Sequence, residues 1–480
     1  MENSKKNIIS ALIWKLLERG GTQGVQFIVQ IILARLLLPE DYGVIALVTI
    51  FISLANVFVQ SGFNTALIQK KESDSLDFST VFFFSLFLSV VLYLVLYLSA
   101  PLISTFYKIE GLEKIIRVIS LTLIFGSINS IQNAVVAKKM KFKKLFLSSL
   151  GAMIISGVLG IIFAYNGYGI WALVIQQLSN QISITVILWY TVKWRPTLEF
   201  SYSRLKELFD YGWKILISSL IDTLYSNIRG LVIGKTYTTQ QLGYYTRGDQ
   251  FPSLIVTNIN GSIQSVMLPV LSYEQDNKDR VREIVRKSIK TSSYLIFPMM
   301  IGLSVVAKPL VIILLTEKWL PSVIFIQIAC FTYSLWPIHT ANLQAINALG
   351  RSDIFLKLEI CKKIIGITVL LLTIPHGVIS IALGGVIVGV ISTIINSYPN
   401  RKLLGYGYKE QLRDIIPSFF ISVLMGAVIY PIKFLINNAL VLMSIQIILG
   451  VLVYWLLSYL FKLEIYFYLK NTISSFRKRE

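Results

Sequence analysis

The chain has 480 residues, of which 55% are apolar and only 15% charged, with a mean hydropathy of +0.68. Soluble domains carry roughly 45–50% apolar and about 25% charged residues, so this composition excludes a soluble enzyme, and its spread along the chain excludes a soluble domain on one or two anchors. The formal net charge of +20 sits in short loops between apolar blocks, a pattern of membrane topology and not of nucleic-acid binding.

Taken in order, Lys5 and Lys6 precede the first apolar block, but Lys15, Glu18 and Arg19 interrupt it and no small-residue cleavage site follows, so it is read as an uncleaved first helix. Apolar blocks bounded by charge, Pro or Gly predict fourteen membrane-spanning helices. The first six are 8–38, 42–68, 78–106, 113–137, 145–165 and 167–192; the next six are 208–234, 243–271, 285–306, 323–348, 354–374 and 378–398; the last two are 412–436 and 440–461. The even count puts both termini on one side. The alternate loops that share the termini hold 29 Lys and Arg against 9 in the opposite loops, Arg247 being counted among the latter, which predicts cytoplasmic termini. No loop has room for a domain. The longest polar stretches, 193–207 and 273–283, would hold a short surface helix at most.

An internal repeat relates the seventh block to the first. WKLLERGGTQGVQFIVQIILARLLLPEDYG from Trp14 and WKILISSLIDTLYSNIRGLVIGKTYTTQQLGYY from Trp213 share Trp-Lys at the start, a small residue then a base at Ala34-Arg35 and Gly234-Lys235, and a glycine opening the next helix at Gly43 and Gly243. Six spans lie between the copies, so both run the same way, and the expected fold is all-α and polytopic. Two pseudo-symmetric six-helix lobes, 1–200 and 201–404, would face a central cavity, followed by two further helices and a basic tail in 405–480.

Charges inside spans mark function more than charges in loops, because a charge at mid-bilayer costs on the order of 3 kcal/mol. Lys15, Glu18 and Arg19 stand at i, i+3 and i+4, and Gln23, Gln26 and Gln30 extend the same face. Lys214, Ser218 and Asp222 repeat at steps of four in the seventh span, with Arg229 beyond them. Two basic stripes would line a cavity suited to an anionic head group, binding it through charge-assisted hydrogen bonds. Lys15 and Lys214 also fit snorkelling toward a helix end, as do Lys290, Lys362 and Lys363. Glu18 and Asp222 either neutralise the neighbouring cations or bind a coupling proton or sodium ion. The amides of Asn56, Gln60 and Asn64, and of Asn258, Asn260 and Gln264, suit sugar hydroxyls, or else hydrogen-bond between helices. Gly20, Gly21 and Gly24 permit close packing or bending of the first helix, and Pro252, Pro269, Pro298, Pro309 and Pro337 break or kink the second lobe. Cys330, Cys361, His339 and His376 are solitary, with no metal spacing, and no phosphate-binding GxxxxGK[ST] loop occurs, so no resident cofactor is expected.

The runs ERGGTQGVQFIVQIILARLLLPEDYGVIAL, SGFNTALIQKKE, IGKTYTTQQLGYYTRGDQFPSL, MLPVLS and NALGRSDIFLKLEI resemble the Wzx-type lipopolysaccharide and polysaccharide flippases of the polysaccharide transporter family. That family lies within the multidrug/oligosaccharidyl-lipid/polysaccharide exporter superfamily, and the resemblance runs from about Trp14 to Leu404. It implies a transporter and not an enzyme, one that carries a polyprenyl-diphosphate-linked oligosaccharide from the inner to the outer leaflet of a bacterial cytoplasmic membrane by alternating access. An ion gradient would drive it, and Lys15, Arg19, Lys214 and Arg229 would meet the diphosphate. The last two helices would shape a groove for the lipid tail. Glycan polymerases and glycosyltransferases are its expected functional neighbours. Two rivals are weighed against it. A drug or cation antiporter of the same superfamily calls for an acidic cavity, whereas bases outnumber acids here. A glycan polymerase or ligase calls for a sizeable external loop, which the chain lacks.

Overall fold

The computed structural model describes residues 2–60, 67 and 74–477, apart from the side chains of 2–13, 15, 16, 19, 211, 472, 473, 476 and 477. Among the described residues every regular element is a helix. The chain forms two compact units, Met1–Gly243 and Tyr244–Glu480.

The first unit contains α1 (Glu2–Leu36), α2 (Pro39–Gln60), α3 (Ser75–Tyr107), α4 (Leu112–Ile119), α5 (Leu121–Lys138), α6 (Phe142–Tyr165), α7 (Ile170–Thr191) and α8 (Tyr202–Thr236). Proline at the first position of α2 has no N–H to leave unsatisfied, and the Asp41 carboxylate accepts from the Leu38 N–H just before it at 2.9 Å. A capping box opens α3, where Asp74 accepts from the Asp77 N–H at 2.9 Å and Asp77 from the Asp74 N–H at 3.2 Å. The expected single span 113–137 is interrupted at Ser120. There the Ser120 hydroxyl donates to the Ile116 carbonyl and Thr122 to that of Ile119, each at 2.6 Å, back-bonding that competes with the helical ladder. Leu67, Phe78, Phe82, Ile131, Val135 and Leu188 fill one core.

No surface helix forms at the start of 193–207. The segment is extended as far as residue 201, and α3 receives it: Thr197 N–H donates to Ser79 at 3.0 Å and Ser201 N–H to Thr80 at 3.2 Å. Arg204 closes the join on Asp74 and Asp77, at 2.5 and 3.1 Å. The seventh span, α8, which the repeat sets at the head of the second lobe, packs here along α2 and α3.

The glycines matched by the repeat meet. A Cβ on Gly43 would lie 1.8 Å from the Thr239 carbonyl oxygen, and one on Gly243 would lie 1.9 Å from that of Pro39. The first turns of the two helices that open at Pro39 and Thr239 therefore cross backbone to backbone, which no side chain allows.

The second unit holds α9 (Thr239–Tyr273, from Tyr244 on), α10 (Lys278–Leu315), α11 (Val323–Ser334), α12 (Trp336–Ala348), α13 (Ser352–Thr373), α14 (Val378–Leu404), α15 (Tyr408–Ile429), α16 (Ala439–Leu460) and α17 (Glu464–Arg477). The central strut is α10, which packs on α11, α12, α15 and α16. Of the five prolines expected to break or kink this half, Pro337 stands at a break, starting α12 after the interruption at Leu335. Pro252 and Pro269 lie inside α9, and Pro298 and Pro309 inside α10. The stretch 273–283 forms no separate helix, because α10 already begins at Lys278 behind an Asn277 cap. Where a basic tail was expected, α17 forms, with Leu463 and Ile465 buried beside Tyr294, Ile421, Met425 and Tyr454.

Among the described residues eleven stretches of helix are long and apolar enough to cross a membrane. Outside that set stand α1, α8 and α13, each at least 22 residues long but interrupted by charges. Together they are consistent with the fourteen spans expected.

Candidate functional site

The charged candidates lie on α1 and α8, two of the three helices outside the apolar set, and the described amide candidates of the second and eighth spans on α2 and α9. Val29, Leu33 and Ala34 of α1 are buried, and the helix packs on α6, leaving its polar face uncovered by that contact. On this face Glu18, Gln23 and Gln30 are half-buried and Gln26 is exposed. The side chains of Lys15 and Arg19 lie outside the described residues. A methyl placed on Gly20 or Gly24 would meet nothing within 4 Å, and only Gly21 is packed, under the Phe146 ring at 3.0 Å; Gly20 and Gly24 serve no helix contact among the described residues.

The expected register holds in α8. Lys214, Ser218 and Asp222 are all exposed, and Arg229 is half-buried. The Lys214 ammonium lies 5.9 Å over the ring of its neighbour Trp213. Ser226 donates to the Asp222 backbone carbonyl at 2.7 Å, a bond that involves the main chain and not the carboxylate. Nearer its C-terminal end Gly230, Ile233 and Gly234 are buried. One helix therefore presents a cationic and acidic stripe at steps of four and packs on α2 and α3.

The amides divide. Gln60 donates to Asn56 at 3.2 Å, and a methyl on Gly126 of α5 would lie 3.6 Å from the Asn56 oxygen; this pair sits at a helix contact. Asn64 lies outside the described residues. Asn258 donates to the Leu254 carbonyl at 2.8 Å. Asn260 is 3% exposed and neither of its side-chain polar atoms has a hydrogen-bond partner among the described residues, while Gln264 is exposed. Two residues along a helix is a rotation of about 200°, so Asn258 and Asn260 point to opposite sides and the three amides share no single face.

Two buried ionic features escape the reading of sequence. Arg247, assigned to an external loop, lies inside α9 at 6% exposure, its guanidinium 5.6 Å over the Trp319 ring and hydrogen-bonded to Gln250; Tyr333 donates to nearby Asp249 at 3.0 Å. The predicted span 243–271 already enclosed Arg247, and that was the available signal. In α13, Lys362 pairs with Glu359 at 2.6 Å, their side chains 13% and 26% exposed, an intrahelical ion pair. Outside the spans, Arg351 holds the Asp353 carboxyl down to about 2 by hydrogen bonding. Among the described residues no group of three or more His, Cys, Asp or Glu could hold a metal ion.

The model of a family described as polysaccharide biosynthesis protein matches residues 32–324, from the second half of α1 into α11. The chain belongs to this family. Among relatives of the polysaccharide biosynthesis protein family, the teichuronic acid biosynthesis protein TuaB of Bacillus subtilis is 24% identical over 386 residues, 79% of each chain. The lipopolysaccharide biosynthesis protein WzxC of Escherichia coli is 22% identical over 440 residues, 91% of this chain and 89% of its own. Among solved structures, the lipid II flippase MurJ in an inward closed conformation matches with a TM-score of 0.75 at 16% identity, covering 94% of this chain and 98% of MurJ. An inward-facing MATE-family transporter matches with a TM-score of 0.63 at 16% identity, over 80% of this chain and 94% of its own. The fold of this family member is thus the all-helical, polytopic fold that flippases and drug exporters share.

Proposed function

We propose that this polysaccharide biosynthesis protein is a flippase, moving a polyprenyl-diphosphate-linked oligosaccharide from the inner to the outer leaflet of the bacterial cytoplasmic membrane for O-antigen, capsule or exopolysaccharide assembly. Family membership carries the reading, supported by relatives named for polysaccharide biosynthesis across 79–91% of the chain. It is a transporter by this reading and not an enzyme. The fold, common to MurJ and a MATE transporter, does not choose between a lipid-linked sugar and a drug; the charge does. Lys15, Arg19, Lys214 and Arg229 outnumber Glu18 and Asp222 on the two stripes, and a basic surface suits a diphosphate and disfavours a cationic drug.

In this mechanism the four bases replace the water that the diphosphate loses on leaving the head-group region. Gln23, Gln26 and the exposed Gln264 offer both donors and acceptors to sugar hydroxyls. Glu18 and Asp222 bind the coupling proton or sodium ion. The termini are cytoplasmic, and on that side cytoplasmic glycosyltransferases would assemble the lipid-linked oligosaccharide. The test is the sidedness of the lipid-linked oligosaccharide in cells lacking the protein, then carrying it, then carrying Arg19→Ala or Arg229→Ala. The expected result is retention on the inner leaflet without the protein and with either variant. Normal sidedness with loss only of long glycans would make the chain a polymerase or its helper.

A further inference from the structure

A cavity of about 700 Å³ opens on the seam between α9 and α10, beside α17. Its size falls within the ~300–1,000 Å³ typical of ligand sites. Ile259, Ile263, Val266, Met267 and Leu295 form most of its walls, with Asn258 and Ser262 among them. Its rim is different, for Lys287, Ser288, Thr291 and Tyr468 meet there. The Lys287 ammonium lies 5.6 Å over the Tyr468 ring and 2.7 Å from Glu283.

Glu283 does not neutralise that lysine, because it also receives Arg280 at 2.7 Å. The remaining bases are matched elsewhere: Arg286 and Lys290 reach Asp414 at 2.6 and 3.5 Å, and Lys290 reaches Glu464 at 2.7 Å. Arg280 and Lys287 thus share the single carboxylate of Glu283, while Arg286 and Lys290 are matched by the two carboxylates of Asp414 and Glu464, so the surplus positive charge falls at the rim. Ser288 spends its hydroxyl on the sulfur of Met267 at 3.4 Å, a weak acceptor that a phosphate oxygen would readily displace.

A largely apolar slot ending at one surplus cation and the hydroxyls of Ser288 and Thr291 matches a lipid with a single negative charge. We infer that this cavity binds one anionic glycerophospholipid, an acyl chain lying between α9 and α10 and its phosphate at Lys287 and Ser288. One surplus charge matches a phosphodiester and falls short of the diphosphate of the proposed substrate. The inference rests on the membrane-spanning reading, and its leaflet, the inner one, on the proposed orientation; it does not depend on transport.

The test is native mass spectrometry of the purified full-length protein with phosphatidylglycerol or phosphatidylethanolamine at equal concentration. One phosphatidylglycerol should be retained in preference by about fivefold, the effect of a single cation facing an anionic lipid. Lys287→Gln should abolish the preference and Lys287→Arg keep it, while Val266→Trp, at a residue 64% exposed and so harmless to folding, should fill the slot and lose both lipids. Equal retention of the two lipids by the wild type, or a preference that survives both Lys287→Gln and Val266→Trp, overturns the proposal. So does displacement of phosphatidylglycerol by an equimolar polyprenyl diphosphate, which would give the slot to the substrate. None of these outcomes bears on flippase activity, which the sidedness measurement reads separately.

Discussion

Asp414 shows what one side chain contributes to the second unit. It is 6% exposed at its side chain and takes Arg286 in a two-pronged pair at 2.6 and 2.8 Å, with a further hydrogen bond from Tyr406 at 2.9 Å. Asp414→Asn leaves two cations facing a neutral amide, a loss of about 1–3 kcal/mol, and should lower the thermal unfolding midpoint of the detergent-purified protein. Glu464 bonds Lys290 at 2.7 Å but is 84% exposed, so Glu464→Gln should leave that midpoint nearly unchanged. Equal midpoints for both variants would mean that burial adds nothing to the tie. At the other end of the chain, the hydrogen bond from Arg204, with help from the Asp77 N–H, holds the Asp74 carboxyl down at about 2 against an ordinary 3.8. A folded-state value below the unfolded one stabilises above 3.8 and is lost as the pH falls through about 2. Pepsin should therefore cut the 193–201 segment faster as the pH drops across that window, and Arg204→Gln should flatten the dependence.

At the scale of elements, the crossing of the two turns at Gly43 and Gly243 sets the sharpest expectation. Gly43→Ala and Gly243→Ala each drive a methyl into a carbonyl oxygen under 2 Å away, so each should reduce the yield of folded protein in the membrane. Because both act on one crossing, the double variant should be little worse than either single one. Gly24→Ala meets nothing within 4 Å and should be neutral or stabilising by up to about 1 kcal/mol; a loss there would mean that this side of α1 is covered in the working protein. The contrast also marks what could be read in advance. The repeat picked out Gly43 and Gly243 as equivalent, but only the packing shows that they touch. The breaks at Ser120 and Leu335 divide spans whose hydropathy runs straight through, because a hydroxyl bonding to its own turn leaves hydropathy almost unchanged.

For the whole molecule, the distribution of Lys and Arg predicts that reporter domains fused at either end report a cytoplasmic location, and a split result would remove one of the three charged helices, α1, α8 or α13, from the span count. Family membership and the all-helical fold agree with what composition and the quoted runs already implied. The stripe on α8 was legible because three residues at steps of four must share a helix face whatever surrounds it. Sequence alone thus determined the solvent this protein folds in, its helices and their faces, since apolar length and helical period are local properties. Tertiary structure alone decided the burial of Arg247 under Trp319, the meeting of the turns at Gly43 and Gly243, and the lipid-sized slot beside α17. Each of these depends on which distant helix lies against the residue, and the sequence encodes that only through the sum of all its contacts.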